Sequence, residues 1–179
     1  MKGIIFNLLE EAVTVEYGPQ MWDDLLASTH SEGVYTALGS YPDEQLNAMI
    51  EAAAGRLGKP ADETLRWIGR VGMPMLIERY PRYFERQPTA RDLLLSVNTV
   101  IHPEVLKVYP GAIVPFFDMR EGSDGSLLLG YHSTRRYCFF AHGLAEGVAA
   151  HYRETITFTH LKCMHRGDDH CLAHIAFAR

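Results

Sequence analysis

Along this chain the apolar residues change their period once, near Ala112. Before that point they recur at three- and four-residue spacing, as in amphipathic helices; after it they mostly alternate, as in strands. Ile5, Leu8, Leu9, Ala12 and Val13 predict a first helix starting almost at Met1. Pro19 opens a short second helix through Met21, Trp22, Leu25 and Leu26, since a first turn tolerates proline. Ser40-Tyr41-Pro42-Asp43 reads as the next helix start, with Ser40 as candidate N-cap; that helix runs to about Leu57 and closes at Gly58. Another follows from Ala61 to about Tyr80, with Leu65, Ile68 and Gly69 on one side. Pro74 should kink or shorten it, because it removes a donor and crowds the preceding turn. Thr89-Ala90-Arg91-Asp92 has the form of a capping box, opening a helix through Leu93, Val97 and Ile101.

Beyond Ala112, Ile113–Met119 reads as a strand in which Pro115 forbids a full hydrogen-bond ladder. Glu121–Gly125 has hairpin-turn composition, and Ser126–His132 returns as its antiparallel partner. A helix follows with Tyr137, Phe140, Ala141, Leu144 and Val148 on one face. Thr155–His160 and Cys171–Phe177 alternate as a closing hairpin. The class is α+β: an N-terminal helical part over residues 1–60, then helices plus an antiparallel sheet with an inserted helix over 61–179. A length of 179 residues with 47% apolar side chains suits one domain with a real core. The net charge of −5 leaves no basic stripe for phosphates, which excludes nucleic acid as the main partner. Glu10 and Glu11 cut the apolar start short, so neither a signal peptide nor a membrane span is expected, and the expected location is the cytoplasm. Three cysteines are an odd count, which favours reduced thiols or metal ligands over disulfides.

Two stretches carry chemistry. If the strand ending at His132 continues, Tyr131, Ser133 and Arg135 share a face. A phenol, a hydroxyl and a guanidinium together make a seat for an anionic group, and arginine's planar fork suits a carboxylate or phosphate. Upstream, Val100-Ile101-His102-Pro103 puts a histidine on one helical face with Val105, Leu106 and Tyr109. Such an imidazole is either a core residue bonded to a backbone carbonyl or an axial metal ligand. Pro103 disfavours helical angles at His102, so either a new helix begins there with His102 as its cap, or the helix is strained.

Taken together, His102, Pro115 and Tyr131-x-Ser133-x-Arg135 resemble the heme nitric oxide/oxygen binding family, H-NOX, and the likeness extends over essentially the whole chain. The resemblance implies heme b between the helical part and the sheet. It makes His102 the proximal iron ligand, assigns the propionates to Tyr131, Ser133 and Arg135, and makes Pro115 the residue that bends the porphyrin. Family members that hold dioxygen usually carry a tyrosine where this chain has Phe140. Ile5, Leu9, Phe140 and Leu144 would then form a dry distal pocket. The expected ligands are nitric oxide and carbon monoxide, with dioxygen not bound; Tyr137, one turn earlier, is the hydroxyl that could overturn this.

A second metal is expected in the last quarter. His160-x-x-Cys163 places two soft ligands on one turn, and Cys171 starts the returning strand. With Cys138 they make a Cys3His set for closed tetrahedral zinc, structural or redox-active, with His165, His170 and His174 near enough to substitute. The resemblance adds that some bacterial relatives carry such a site. It also implies a sensor, not an enzyme, acting in trans on a histidine kinase or a cyclic-dinucleotide enzyme. Nitric oxide would weaken the His102–iron bond and shift the fold. The alternatives are a heme-free small-molecule binding module with zinc as its only metal, and a zinc hydrolase, which four protein ligands would leave without an open position.

Overall fold

Met1 and Lys2 run antiparallel to residues 37–41 before the first helix begins. Gly3 N donates to the Gly39 carbonyl and Tyr41 N to that of Met1, and Lys2 bridges Ser40. The computed structural model describes residues 1–178. Helices α1 (Gly3–Tyr17), α2 (Pro19–Thr29) and α3 (Asp43–Leu57) follow as read. Ser40, however, does not cap α3: the helix starts at Asp43 without a side-chain cap, and the Ser40 hydroxyl takes Lys2 Nζ at 2.7 Å. Pairing with the N-terminal residues has drawn Ser40 into extended backbone. Gly58 closes α3 at φ 62°, a conformation that costs glycine nothing.

Helix α4 (Ala61–Arg79) passes through Pro74 unbroken, so the expected shortening does not occur. Burial of Leu65, Trp67, Ile68 and Met73 along its inner side offsets the single lost hydrogen bond. After α5 (Pro81–Glu85), Thr89 caps α6 (Ala90–Ser96), its Oγ1 accepting from Asp92 N at 3.1 Å. A π-helical turn, Val97–Ile101, then leads into α7 (His102–Val108). His102 N bonds back to the Val97 carbonyl, and His102 holds helical angles (φ −62°, ψ −42°) despite Pro103. The widened turn makes room for a proline ring that would otherwise strike the Thr99 carbonyl four residues back.

Strands β1 (Phe116–Glu121), β2 (Leu127–His132), β3 (Thr155–Lys162) and β4 (Cys171–Ala178) form one antiparallel sheet in the order β1-β2-β4-β3. β1 begins at Phe116 and not at Ile113, so Pro115 lies just outside the ladder and weakens nothing in it. Helix α8 (Cys138–His151) is inserted between β2 and β3. It crosses α4 with the two backbones in contact: a Cβ added at Gly143 would stand 1.9 Å from the Arg66 carbonyl oxygen, and one at Gly69 2.4 Å from that of Phe140. One buried cluster runs from Phe6 and Val13 through Met49 and Ile68 to Leu127 and Ile175. The architecture is α+β, helices first and an antiparallel sheet with an inserted helix after. Among the described residues no helix is long and apolar enough to cross a membrane.

Candidate functional site

The helical half and the sheet enclose an apolar cavity of about 550 Å3, a size suited to a cofactor or small molecule. Ile5 and Leu9 of α1 line it, as do Phe140, Leu144 and Val148 of α8, and Phe117 and Leu129 of the sheet. The face of α8 that periodicity marks as apolar is thus a cavity wall, not solid core.

His102 enters the wall from the first residue of α7. Its ring lies 5.6 Å from that of Phe117, with 26° between planes. Burial pushes its pKa down to about 4, against a weaker upward pull from the Pro115 carbonyl. At neutral pH the imidazole is therefore uncharged and keeps a lone pair on one nitrogen. A neutral ring in an apolar wall can ligate a metal.

Strand alternation does not bring Tyr131, Ser133 and Arg135 together, because β2 ends at His132. The turn before α8 does so instead, with Arg136 at φ 59°, and all three residues line the cavity. Tyr131 is buried and its hydroxyl accepts from Tyr137 N at 3.0 Å; Ser133 Oγ accepts from Arg135 N at 3.2 Å. Arg135 donates from Nε to Asp43 at 2.7 Å and from Nη1 to the Ile113 carbonyl at 2.8 Å. Asp43 also receives the Met1 ammonium at 2.6 Å. Burial opposes the Asp43 charge, but hydrogen bonds from that ammonium and from Arg135 prevail and hold its carboxyl below the usual range. Sequence reading treated Asp43 only as helix-start chemistry and missed this role.

Ile5, Leu9, Phe140 and Leu144 all face the cavity and offer no polar atom. Tyr137 also lines it, but its hydroxyl donates to Asn47 Oδ1 on α3 at 2.5 Å. Two further phenols in the lining, Tyr80 and Tyr109, bond to each other. Burial, then the Tyr80 hydroxyl, raises the Tyr109 pKa. Tyr109 shares the His102 face by spacing; nothing in the sequence singles out Tyr80.

The family model described as Haem-NO-binding matches residues 2–160. The chain belongs to this family, H-NOX. It is similar to an H-NOX protein from Shewanella oneidensis in the Fe(II)NO ligation state, at 32% identity over 100% of both chains and a TM-score of 0.94. It is likewise similar to the H-NOX domain from Shewanella oneidensis in the Fe(II)CO state, at 32% identity, 100% of this chain and 99% of that one, and a TM-score of 0.90. The Fe(II) unliganded H-NOX protein from K. algicida matches at 25% identity, with 100% and 97% covered and a TM-score of 0.86. H-NOX domains are heme-based gas sensors that bind ligands such as nitric oxide and carbon monoxide. The cavity fits a heme in its chemistry: apolar walls, a neutral imidazole and a guanidinium-bearing turn. The heme-free module is accordingly not favoured.

The H-NOX chain carries a second donor set. Cys138 opens α8, Cys163 follows β3 and Cys171 opens β4. Their sulfurs lie within 4.8 Å of one another, Cys138 and Cys163 at 3.8 Å. Tetrahedral zinc with Zn–S near 2.3 Å separates its sulfurs by about 3.8 Å, so the three thiols fit that ion. Burial, then the neighbouring sulfurs, pushes the Cys138 thiol up, and burial raises that of Cys171; a cation would reverse both effects.

His160, the expected fourth ligand, is not within this group. Its Nε2 is 3.2 Å from His142 Nδ1, and its Nδ1 is the one buried side-chain polar atom among the described residues without a partner. Of the expected substitutes, His165 engages the Arg136 carbonyl and His170 pairs with Asp169. His174 alternates to the sheet face opposite Cys171.

Proposed function

We propose that this chain is a nitric oxide sensor that holds heme b through His102 and reports to a partner protein. The observation that carries this reading is the His102 ring in the wall of the apolar cavity, against Phe117. When bound, heme would supply an iron that takes a gas ligand and is held by a protein nitrogen. His102 provides that nitrogen. Tyr131, Ser133 and Arg135 seat the propionates, where Arg135's fork matches a carboxylate. Pro115, which lines the same cavity, would press on the porphyrin.

Phe140, with Ile5, Leu9 and Leu144, offers a bound gas no hydrogen-bond donor. Dioxygen carries partial negative charge on binding and depends on a donor far more than nitric oxide does. The Tyr137–Asn47 bond, which engages the phenol one turn before Phe140, supports the exclusion of dioxygen. Nitric oxide binding would weaken the hold of His102, and with it that of α7, so that residues 1–60 would shift against 61–179. A cytoplasmic histidine kinase or cyclic-dinucleotide enzyme reads the shift; the domain performs no chemistry itself.

Absorption spectra of the reduced protein in air and with nitric oxide test this. A heme band that ignores air and moves with nitric oxide is expected; a stable oxygenated spectrum overturns the selectivity. Phe140→Tyr should introduce a donor worth about 1 kcal/mol, tightening dioxygen binding roughly fivefold. A colourless protein that takes up no added hemin would return the reading to the heme-free module.

Zinc is a second proposal for the same chain, held by Cys138, Cys163 and Cys171 with His160 as fourth donor, and either structural or redox-active. The sulfur spacing supports it. Metal analysis of freshly purified reduced protein should find one zinc per chain, and Cys171→Ser should lose it and melt earlier. Wild-type protein without zinc discards the idea.

A further inference from the structure

His142 is a buried histidine that neither the heme cavity nor the thiol cluster uses. Its ring stacks on Phe158, with centroids 4.0 Å apart and planes at 12°. Its Nε2 lies 3.5 Å from Glu146 Oε1, and its Nδ1 lies 3.2 Å from His160 Nε2. Arg66 of α4 clasps Glu146 with two donors, Nε at 3.0 Å and Nη2. A polar chain therefore runs Arg66–Glu146–His142–His160 and ends at the unpartnered His160 Nδ1.

The protons along this chain follow from its charged end. Glu146, paired with Arg66, is ionised and can only accept. A His142 ring with its one hydrogen on Nε2, the nitrogen 3.5 Å from the carboxylate, presents Nδ1 to His160 as an acceptor. His160 must donate to it from Nε2. The single hydrogen of the His160 ring is thereby placed, and Nδ1 is left as a bare lone pair in a buried setting.

His160 lies on the sheet face that carries Cys171, outside the 4.8 Å group of the three sulfurs. His160 pairs with Ala173 in the β3–β4 ladder, and Ala173 shares its sheet face with Cys171. The His160 ring is 4.5 Å from Phe139, the residue after Cys138. We infer that Glu146 and His142 are positioning residues for a metal at the thiol cluster. They fix His160 in the tautomer whose Nδ1 completes the donor set with Cys138, Cys163 and Cys171. This rests on the zinc reading above and extends it to the groups behind the ligand, whose loss in metal sites typically weakens binding 10–100-fold.

The test uses the full reduced chain with heme in its carbon monoxide form, which is diamagnetic, and 15N-labelled histidine. Long-range 1H–15N spectra recorded before and after adding zinc should find the His160 hydrogen on Nε2 throughout, and a shift of Nδ1 when zinc binds. In competition with a chelator, His142→Phe should bind zinc about 10–100-fold more weakly. His142→Gln, whose side-chain oxygen can accept the same hydrogen bond, should recover most of that loss. Should His142→Phe not fold, Glu146→Gln reads the same point, since an amide no longer fixes the tautomer. A hydrogen on His160 Nδ1, or His142→Phe binding zinc as tightly as wild type, overturns the relay and leaves the zinc reading standing. Wild-type protein that takes up no zinc overturns the zinc reading and, with it, the relay's purpose.

Discussion

His102→Ala emerges from purification folded but without heme, and takes heme up again only when imidazole is supplied. Alanine is the best helix former, so it keeps the run from the π turn into α7 intact where glycine would loosen it. The substitution removes the ring beside Phe117, leaving a space of imidazole shape against the cavity. Free imidazole can enter that space and present a nitrogen. Losing the ligand itself should cost more than the 10–100-fold typical of an outer-shell partner, so a fall in heme affinity of over about 100-fold is expected. Hemin titration followed by absorption, with and without imidazole, measures it. Wild-type heme affinity in His102→Ala would remove His102 from the reading.

The fold was legible wherever its cause was local. Helical spacing in α1, the Thr89 cap and the turn around Asp124 all appear as read, because neighbours a few residues apart decide them. The misses have non-local causes. Ser40 loses its expected cap because Lys2 pairs with it. Pro74 sits inside an unbroken helix because α4 is packed along its inner side. The candidate site divides the same way. Tyr131, Ser133 and Arg135 were singled out by their chemistry, yet a turn and not a strand face unites them. Arg135's partner Asp43 lies ninety-two residues away, beyond any local pattern. Spacing brought the three cysteines together, while His160 turned toward His142, a residue that no pattern in the sequence singles out.

Gly143→Ala adds one methyl group and is expected to destabilise the chain by about 3 kcal/mol or more, at or above the upper end for overpacking. Its Cβ would meet Arg66 O at 1.9 Å, Arg66 C at 2.8 Å and Arg70 N at 2.9 Å. All three are backbone atoms of α4, so no side chain can swing aside, and the two helices must separate. Alanine's better helix propensity returns only about 1 kcal/mol. Gly72→Ala is the control: its Cβ would rest 3.5 Å from Leu8 Cβ, an ordinary contact, so that variant should match or exceed wild-type stability. The consequence reaches past stability because α8 carries Phe140 and Leu144 into the cavity and begins at Cys138. Displacing it should therefore weaken heme retention and zinc retention together, whereas a cavity substitution such as Phe140→Tyr should touch only the first. Denaturant midpoints, heme release and zinc content measured on the two glycine variants test this directly. Gly143→Ala within about 0.5 kcal/mol of wild type, a shift typical of neutral surface changes, would mean that α4 and α8 do not meet backbone to backbone.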